Sequence, residues 1–332
     1  MTGRSDNLTC LVADIGGTNT RVALADGTDL NADSITRYAN SEHTSLNQVL
    51  DRFIKEHGNP ECSAACVAVA GPVRDGVGAL TNLDWAIDRP TLSQATGADD
   101  VAILNDLQAQ GHALGYLTDH NIQTVIAGAA AAPSASKMVI GVGTGFNAAA
   151  VFDGDSGRLV PPSESGHASL PIRSQQDMDL CGFIDDDDDF PAVEDVLSGP
   201  GLERVYQWHR HVSGDPGKKK AADIMASMAS GDDAIATQTV QTFIRILGNV
   251  VGDQALVQLP FGGVFLVGGV ARAVAPYLEQ LDFRGAFRAK GRFAAFMDDF
   301  SVSVINDDWA ALVGCAHHIQ AIRGNLELTA NR

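Results

Sequence analysis

The chain has 332 residues, 45% of them hydrophobic and 19% charged, with a formal net charge of −18 at pH 7. That length and apolar content allow two domains or one large one with a substantial core, and they exclude a disordered chain. The acidic balance speaks against nucleic acid, whose phosphate backbone calls for a basic surface, but not against ATP, which Mg²⁺ and backbone N–H groups can hold without lysines.

Residues 8–15 are an apolar run, Gly16-Gly17 is a turn signal, and 21–25 resume a short strand, which together predict a β-hairpin and not a strand entering a helix. Leu46, Val49, Leu50, Phe53 and Ile54 recur at helical spacing, with Gly58 and Pro60 as stop signals. Residues 64–70 read as a compact apolar strand ending in Gly71-Pro72, and 101–104 as another that delivers Asn105 and Asp106 at its C-terminal end. A second strand–turn–strand unit follows, with 138–142 and 148–152 flanking Gly143-Thr144-Gly145. Helical patterns fill 221–230 and 237–258, and 262–269 reads as a third glycine-rich strand. Strands and helices mixed in this order indicate an α/β protein, and the two similar hairpins suggest a duplicated architecture. The acidic run 185–189 reads as a solvated loop, because adjacent like charges repel and a hard cation needs a defined cage.

The five cysteines, Cys10, Cys62, Cys66, Cys181 and Cys315, are odd in number and scattered, which fits reduced thiols and no disulfide framework. Only Cys62 and Cys66 lie close together, and no nearby partners complete a zinc site. The run 8–15 is too short for an export signal and carries Asp14. The most apolar stretch, 264–274, is glycine-rich and broken by Arg272, so no membrane span is expected. A cytoplasmic protein is the expectation.

The chemistry gathers at the glycines. In Asp14-Ile15-Gly16-Gly17-Thr18-Asn19-Thr20-Arg21, the glycines let the backbone approach a phosphate without a Cβ in the way. Consecutive N–H groups in such a turn make an anion-binding concavity, with the Thr18 and Asn19 side chains as further donors. Asp14, at the end of the preceding strand, suits Mg²⁺ held through water. A plain hairpin turn explains the glycines but not the polar residues clustered around them. Gly141-Val142-Gly143-Thr144-Gly145 has the same character. It lacks the G-x-G-x-x-G spacing and precedes a strand, both against a dinucleotide-binding turn, and no Walker A pattern occurs.

With these turns in hand, the chain resembles the bacterial glucokinase family of the actin-like (ribonuclease H-like), hexokinase-type ATPase superfamily. The resemblance rests on LVADIGGTNTRVAL, VAGPV, TNLDW, LNDLQA, GVGTGFNAA, ESGH, VLSGPGLERVY, GGVFLVGG and KGRF, in family order from residue 11 to about 315. It implies a duplicated α/β fold with a small domain of residues 1–108 plus 312–332, a large domain of 109–311 and a cleft between them. It also implies that Gly16, Gly17, Thr18 and Asn19, with Gly143, Thr144 and Gly145, hold ATP phosphates, and that Gly268 and Gly269 line the adenosine side.

The sugar residues follow from the same resemblance. Asp106 matches the family's catalytic base, and phosphoryl transfer to an alcohol does need a carboxylate that accepts the hydroxyl proton. From local sequence alone, Asp106 reads as the N-cap of the helix that follows. Asn105, Glu164, His167 and Glu194 match positions that bind sugar hydroxyls. Taken alone, His167 reads as a surface or satisfied histidine and Glu194 as a solvated residue near a helix start, so their assignment rests on the resemblance. Two positions depart from the family pattern: Asn147 and Ser165 each replace a usual glycine. Trp85 in TNLDW serves equally as a sugar-side aromatic or as a brace of the small domain. The expectation is transfer of the ATP γ-phosphoryl group to the 6-hydroxyl of glucose by a Mg-ATP-dependent homodimer. A kinase of another hexose or amino sugar, and a non-catalytic ATP-regulated sugar sensor, are the alternatives. The cysteine cluster of the zinc-containing repressor and kinase branch is missing.

Overall fold

The computed structural model describes residues 9–80, 83–154, 157–184 and 190–330. Thr81 and Asn82 of the TNLDW segment and the acidic run 185–189 lie outside the described residues. The chain forms two compact units: Met1–Thr118 with Gly154–Pro162 and Asp307–Arg332, and Asp119–Asp153 with Ser163–Asn306.

The expected first hairpin forms from β1 (Thr9–Ile15) and β2 (Asn19–Asp26), paired antiparallel with Ile15 opposite Thr20. β3 (Asp29–Leu30) and β4 (Thr36–Ala39) both pair with β2. α1 (Leu46–Glu56) starts where Ser45 Oγ accepts from the Gln48 N–H, and it buries Leu46, Val49, Leu50 and Phe53, the face its spacing predicts. After α1 come β5 (Ala64–Val69), a small antiparallel meander of β6 (Val73–Arg74), β7 (Val77–Ala79) and β8 (Ala86–Asp88), and then α2 (Arg89–Thr96). β9 (Asp100–Asn105) leads directly into α3 (Asp106–Ala113).

The remaining elements are β10 (Ile122–Ile126), β11 (Lys137–Val142), β12 (Phe146–Gly154), β13 (Gly157–Leu159), α4 (Gln175–Ile184), α5 (Gly199–Val212), α6 (Ala221–Ser230) and α7 (Ala234–Gln258). After them come β14 (Val264–Val267), α8 (Gly269–Val274), α9 (Phe283–Arg288), β15 (Val302–Ile305) and α10 (Ala310–Ala330). The limits expected at 108/109 and 311/312 fall inside α3 and α10, and both helices belong whole to the first unit.

The duplication is visible in the sheets. In the first unit β2 is antiparallel to β1, and β1, β5 and β9 run parallel side by side. In the second, β12 is antiparallel to β11, and β11, β14 and β15 run parallel. Each unit therefore presents one hairpin turn beside the C-terminal ends of its parallel strands, where ligands of open α/β sheets gather.

The first sheet is covered on both faces, which explains why β1 and β5 read as unbroken apolar runs. Leu11, Ala13 and Ile15 pack in a cluster with Leu50, Phe53, Leu92 and Trp85. Cys10 and Val12 point the other way, onto Leu312, Cys315, Ala316 and Ile319 of α10. Trp85 is only 7% exposed in that first cluster, so it braces the unit. In the second unit α7 is the central helix, capped by Asp233 and burying Phe243, Leu247 and Val251 against Met138, Ile140, Leu266 and Val304.

Lys290 of the KGRF segment has a structural role that its sequence does not give away. Its ammonium donates to the Asn249 carbonyl at 2.8 Å and to Asp253 Oδ1 at 2.6 Å. With Gly248 and Gly252 admitting the α9 backbone closely, this ties the end of α9 to α7. All five cysteines are buried, and none is in a disulfide. Among the described residues no group of three or more His, Cys, Asp or Glu side chains is arranged to hold a metal ion.

Candidate active site

In the first unit, three strand ends are level. Ile15 of β1 pairs in register with Val69 of β5, and Val69 with Asn105 of β9. Gly16 to Thr18, Ala70-Gly71 and Asp106 therefore leave the sheet along one edge, directly after Ile15, Val69 and Asn105. The first turn closes with the Gly16 N–H donating to the Asn19 carbonyl at 3.0 Å, and Gly17 and Thr18 are exposed at its tip.

Asn40, buried at 2% exposure, supports this turn from behind. Its Nδ2 donates to the Gly16 carbonyl at 2.7 Å, its backbone N–H donates to the Thr18 carbonyl at 2.9 Å, and its Oδ1 accepts from Thr20 Oγ1 at 2.8 Å. A side-chain amide satisfying buried backbone and hydroxyl groups in this way holds the turn in one shape. Asp14 Oδ2 accepts from Arg21 Nη1 at 2.9 Å. Burial pushes the Asp14 carboxyl above its ordinary range, and the Arg21 guanidinium partly offsets that rise.

The N-cap of α3 is Asn105, not Asp106. Asn105 Oδ1 accepts from the Leu107 and Gln108 N–H groups at 2.9 and 3.3 Å, and Gln108 Oε1 accepts from the Asn105 N–H at 3.1 Å, a capping box. Asn105 Nδ2 donates to the Gly71 carbonyl at 3.2 Å. The Asn105 amide thus fastens β9 to the loop after β5 as well as starting the helix. Asp106 becomes the first helical residue, half-buried, with Oδ1 accepting from the Leu107 N–H at 2.8 Å.

In the second unit, the Gly143 N–H donates to the Gly145 carbonyl at 2.9 Å, and the Gly143 carbonyl accepts from the Gly199 N–H at 2.8 Å. The start of α5, capped by Ser198, therefore abuts this turn. Glu194 Oε2 accepts from the Phe146 N–H at 2.7 Å, immediately after the turn. A Cβ on Gly145 would lie 2.4 Å from that same oxygen, so a larger residue there would displace the carboxylate from this bond. Gly268, at φ +104°, packs so that a Cβ would lie 2.5 Å from the Val142 carbonyl oxygen. Gly269, by contrast, opens α8, and a Cβ there would meet nothing within 4 Å.

Glu164 and His167 are both exposed, at either end of a short 3-10 turn. Gly166 inside that turn approaches the Phe146 carbonyl so closely that a Cβ would lie 2.0 Å from the oxygen, and its own carbonyl accepts from the Glu194 N–H at 2.9 Å. Gly143 to Gly145, Glu164, His167, Glu194 and Gly268-Gly269 are thus one contiguous surface of the second unit. Asp14, Gly16 to Asn19, Asn105 and Asp106 are one edge of the first.

The glucokinase family model matches residues 11–322. The chain belongs to the glucokinase family. It is 31% identical over 309 residues to the glucokinase of Rhizobium johnstonii, covering 93% of this chain and 90% of that protein. It is 32% identical over 314 residues to the glucokinase of Sinorhizobium fredii, covering 94% and 92%. A solved glucokinase from an Antarctic psychrotroph superimposes with a TM-score of 0.82 at 29% identity, over 94% of this chain and 98% of that one. The glucokinase of Balamuthia mandrillaris, solved in complex with glucose, has the same fold, with a TM-score of 0.78 at 20% identity over 95% and 94%. The fold is accordingly the actin-like, two-domain fold of these kinases, and the chain is a sugar kinase.

Sequence reasoning misses the bracing residues. Asn40 gives no signal beyond being an asparagine near a turn, and Glu194, a solvated residue by local sequence and a sugar ligand by resemblance, has one oxygen engaged by the Phe146 N–H after the second turn. The pairing of Asn147 with Ser165 Oγ, at 3.2 Å, is legible in the sequence only as two separate departures from glycine.

Proposed function

We propose that Asp106 is the general base in the ATP-dependent phosphorylation of glucose, the reaction of this family, and that Glu164, His167, Glu194 and Asn105 orient the sugar. The register of Ile15, Val69 and Asn105 carries this reading, because it aligns the carboxylate after β9 with the phosphate turn after β1 on one sheet edge. Asp106 accepts the proton of the 6-hydroxyl as that oxygen attacks the γ-phosphorus, and ADP leaves. General-base help of this kind contributes about 10²–10⁴-fold, while positioning the two substrates lowers the barrier by ~7–11 kcal/mol. The greater part of catalysis therefore falls to the groups that hold sugar and nucleotide in line.

ATP is held by the two glycine turns, with Gly268 and Gly269 on its adenosine side. Mg²⁺ enters as part of the nucleotide substrate and offsets the phosphate charge. Asp14 suits contact with it through water, since Oδ2 is already engaged by Arg21. Asn105 has one amide hydrogen left for a sugar hydroxyl after its bonds to Gly71, Leu107 and Gln108. No helix among the described residues is long and apolar enough to cross a membrane. A cytoplasmic location is part of the proposed reading. A homodimer completes the reading.

The test is D106N. Its kcat is expected to fall by about 10²–10⁴ while glucose binding and thermal stability are retained. Turnover near that of the unmodified enzyme would remove Asp106 from the role. Coupled ADP release with glucose, mannose, fructose, galactose and N-acetylglucosamine tests the sugar; a preference for any but glucose would overturn that assignment.

A further inference from the structure

Asn147 is the second residue of β12, yet its side chain reaches back to the loop that carries Glu164. Its Oδ1 accepts from the Ser165 N–H at 3.0 Å and from Ser165 Oγ at 3.2 Å, as well as from the Ala148 N–H at 2.8 Å. Its Nδ2 donates to the Ser163 carbonyl. One side chain thus grips the backbone immediately before and immediately after Glu164. The Glu164 side chain itself is exposed, and its residue has φ −130° and ψ 49°, outside helix and strand, so no ladder holds it.

From this geometry we infer that Asn147, with Ser165, is a positioning residue for the sugar site: it fixes the Glu164 backbone so that the carboxylate meets its hydroxyl without first being ordered. Rigidifying a binding loop in its bound shape raises affinity by lowering the entropy lost on binding. Asn147 suits the task because an amide offers a donor and an acceptor at once, matching a carbonyl on one side of Glu164 and an N–H on the other. Glycine at 147 would make none of these side-chain bonds, and glycine at 165 would lose the hydroxyl. The two departures from the family pattern thus form one device. Asn147 also follows Phe146, whose N–H is held by Glu194, so the bridge starts from a fixed point beside the second phosphate turn.

The inference rests on Glu164 binding sugar, and the experiment separates the two. Glucose Kd by calorimetry without nucleotide, and KM for glucose and for ATP, are measured for N147A, S165A, S165T, N147A/S165A and E164Q. N147A is expected to weaken glucose binding about tenfold, S165A about twofold, and S165T, which keeps the hydroxyl, hardly at all. KM for ATP stays within about twofold. The double variant is expected to be no worse than N147A, because both changes remove the same bridge. Unchanged glucose binding in N147A, with E164Q weakened, overturns the positioning role alone. Equal rises in both KM values with a lowered Tm also overturn it, as a purely structural effect. E164Q with normal glucose binding overturns the sugar assignment of Glu164 and this inference with it. Should N147A yield little folded protein, S165A against S165T decides the matter at smaller amplitude.

Discussion

The two glycine turns close alike and are supported differently. Each is drawn together by one short backbone bond, Gly16 to Asn19 in the first and Gly143 to Gly145 in the second. Behind the first stands a neutral amide, Asn40, and beside it the Asp14–Arg21 pair. Behind the second stands a carboxylate, Glu194, together with the first turn of α5 and the backbone at Gly268. The steric margins differ as well. A Cβ on Gly16 would sit 3.3 Å from the Asn19 carbonyl oxygen, whereas those on Gly145 and Gly268 would sit at 2.4 and 2.5 Å from their neighbours. Duplication has thus preserved the turn while the packing around each copy went its own way, leaving the second far less tolerant of change.

The contrast breaks most visibly at Gly268. G268A places a Cβ against the Val142 backbone at a left-handed φ, and it is expected to cost about 3 kcal/mol or more, read as a large fall in Tm or loss of folded protein. G16A is expected to cost under about 1 kcal/mol. Equal losses of Tm in the two variants would show that the second turn is no tighter than the first.

Next in size is Glu194, where charge and bracing can be separated. E194A leaves the Phe146 N–H without its acceptor, a loss of ~1–3 kcal/mol, so KM for ATP is expected to rise about tenfold together with KM for glucose. E194Q keeps an acceptor oxygen for that N–H, so KM for ATP is expected to stay near normal while KM for glucose rises. If E194Q raised both equally, the carboxylate charge itself would be needed by the turn.

What can be read from the sequence, and what cannot, follows the range of the interactions. The hairpins, the buried face of α1 and the delivery of Asn105 and Asp106 by β9 are set by neighbours a few residues apart, through periodicity and turn chemistry. Even there an ambiguity persists. Asn and Asp both cap helices well, and only the chain path makes Asn105 the cap and leaves Asp106 as the first helical residue. The braces join residues far apart: Asn40 reaches Gly16 across 24 positions, Asn147 reaches Ser165 across 18 and Glu194 reaches Phe146 across 48. No local pattern encodes such bonds, because each brace engages at least one backbone group of a kind that nearly every residue carries. Glu194 and His167 are reached through resemblance for the same reason.

A smaller effect is expected at Asn40. N40A removes the amide that joins Gly16 and Thr20, with a stability loss of ~1–3 kcal/mol and a severalfold rise in KM for ATP, glucose KM being unaffected. A Tm loss without a change in KM for ATP would make Asn40 a support of the sheet and not of the phosphate turn.

The finest distinction to test is electrostatic, because the first turn has an ion pair at its base. Burial raises the Asp14 carboxyl above its ordinary range, and Arg21 opposes the rise. In R21L the opposing charge is gone, so the carboxyl protonates at a higher pH than in the unmodified enzyme. With Asp14 in its proposed place beside the water shell of Mg²⁺, the protonated carboxyl would be the weaker acceptor. The acid limb of kcat/KM for ATP should therefore move to higher pH in R21L, with activity lost earlier as the pH falls and recovered as it rises. D14N, which cannot ionise, should abolish that limb's dependence on Arg21. An R21L profile that overlays the unmodified one would mean that the pair serves only to hold β1 and β2 together, and that both turns bind nucleotide through backbone alone.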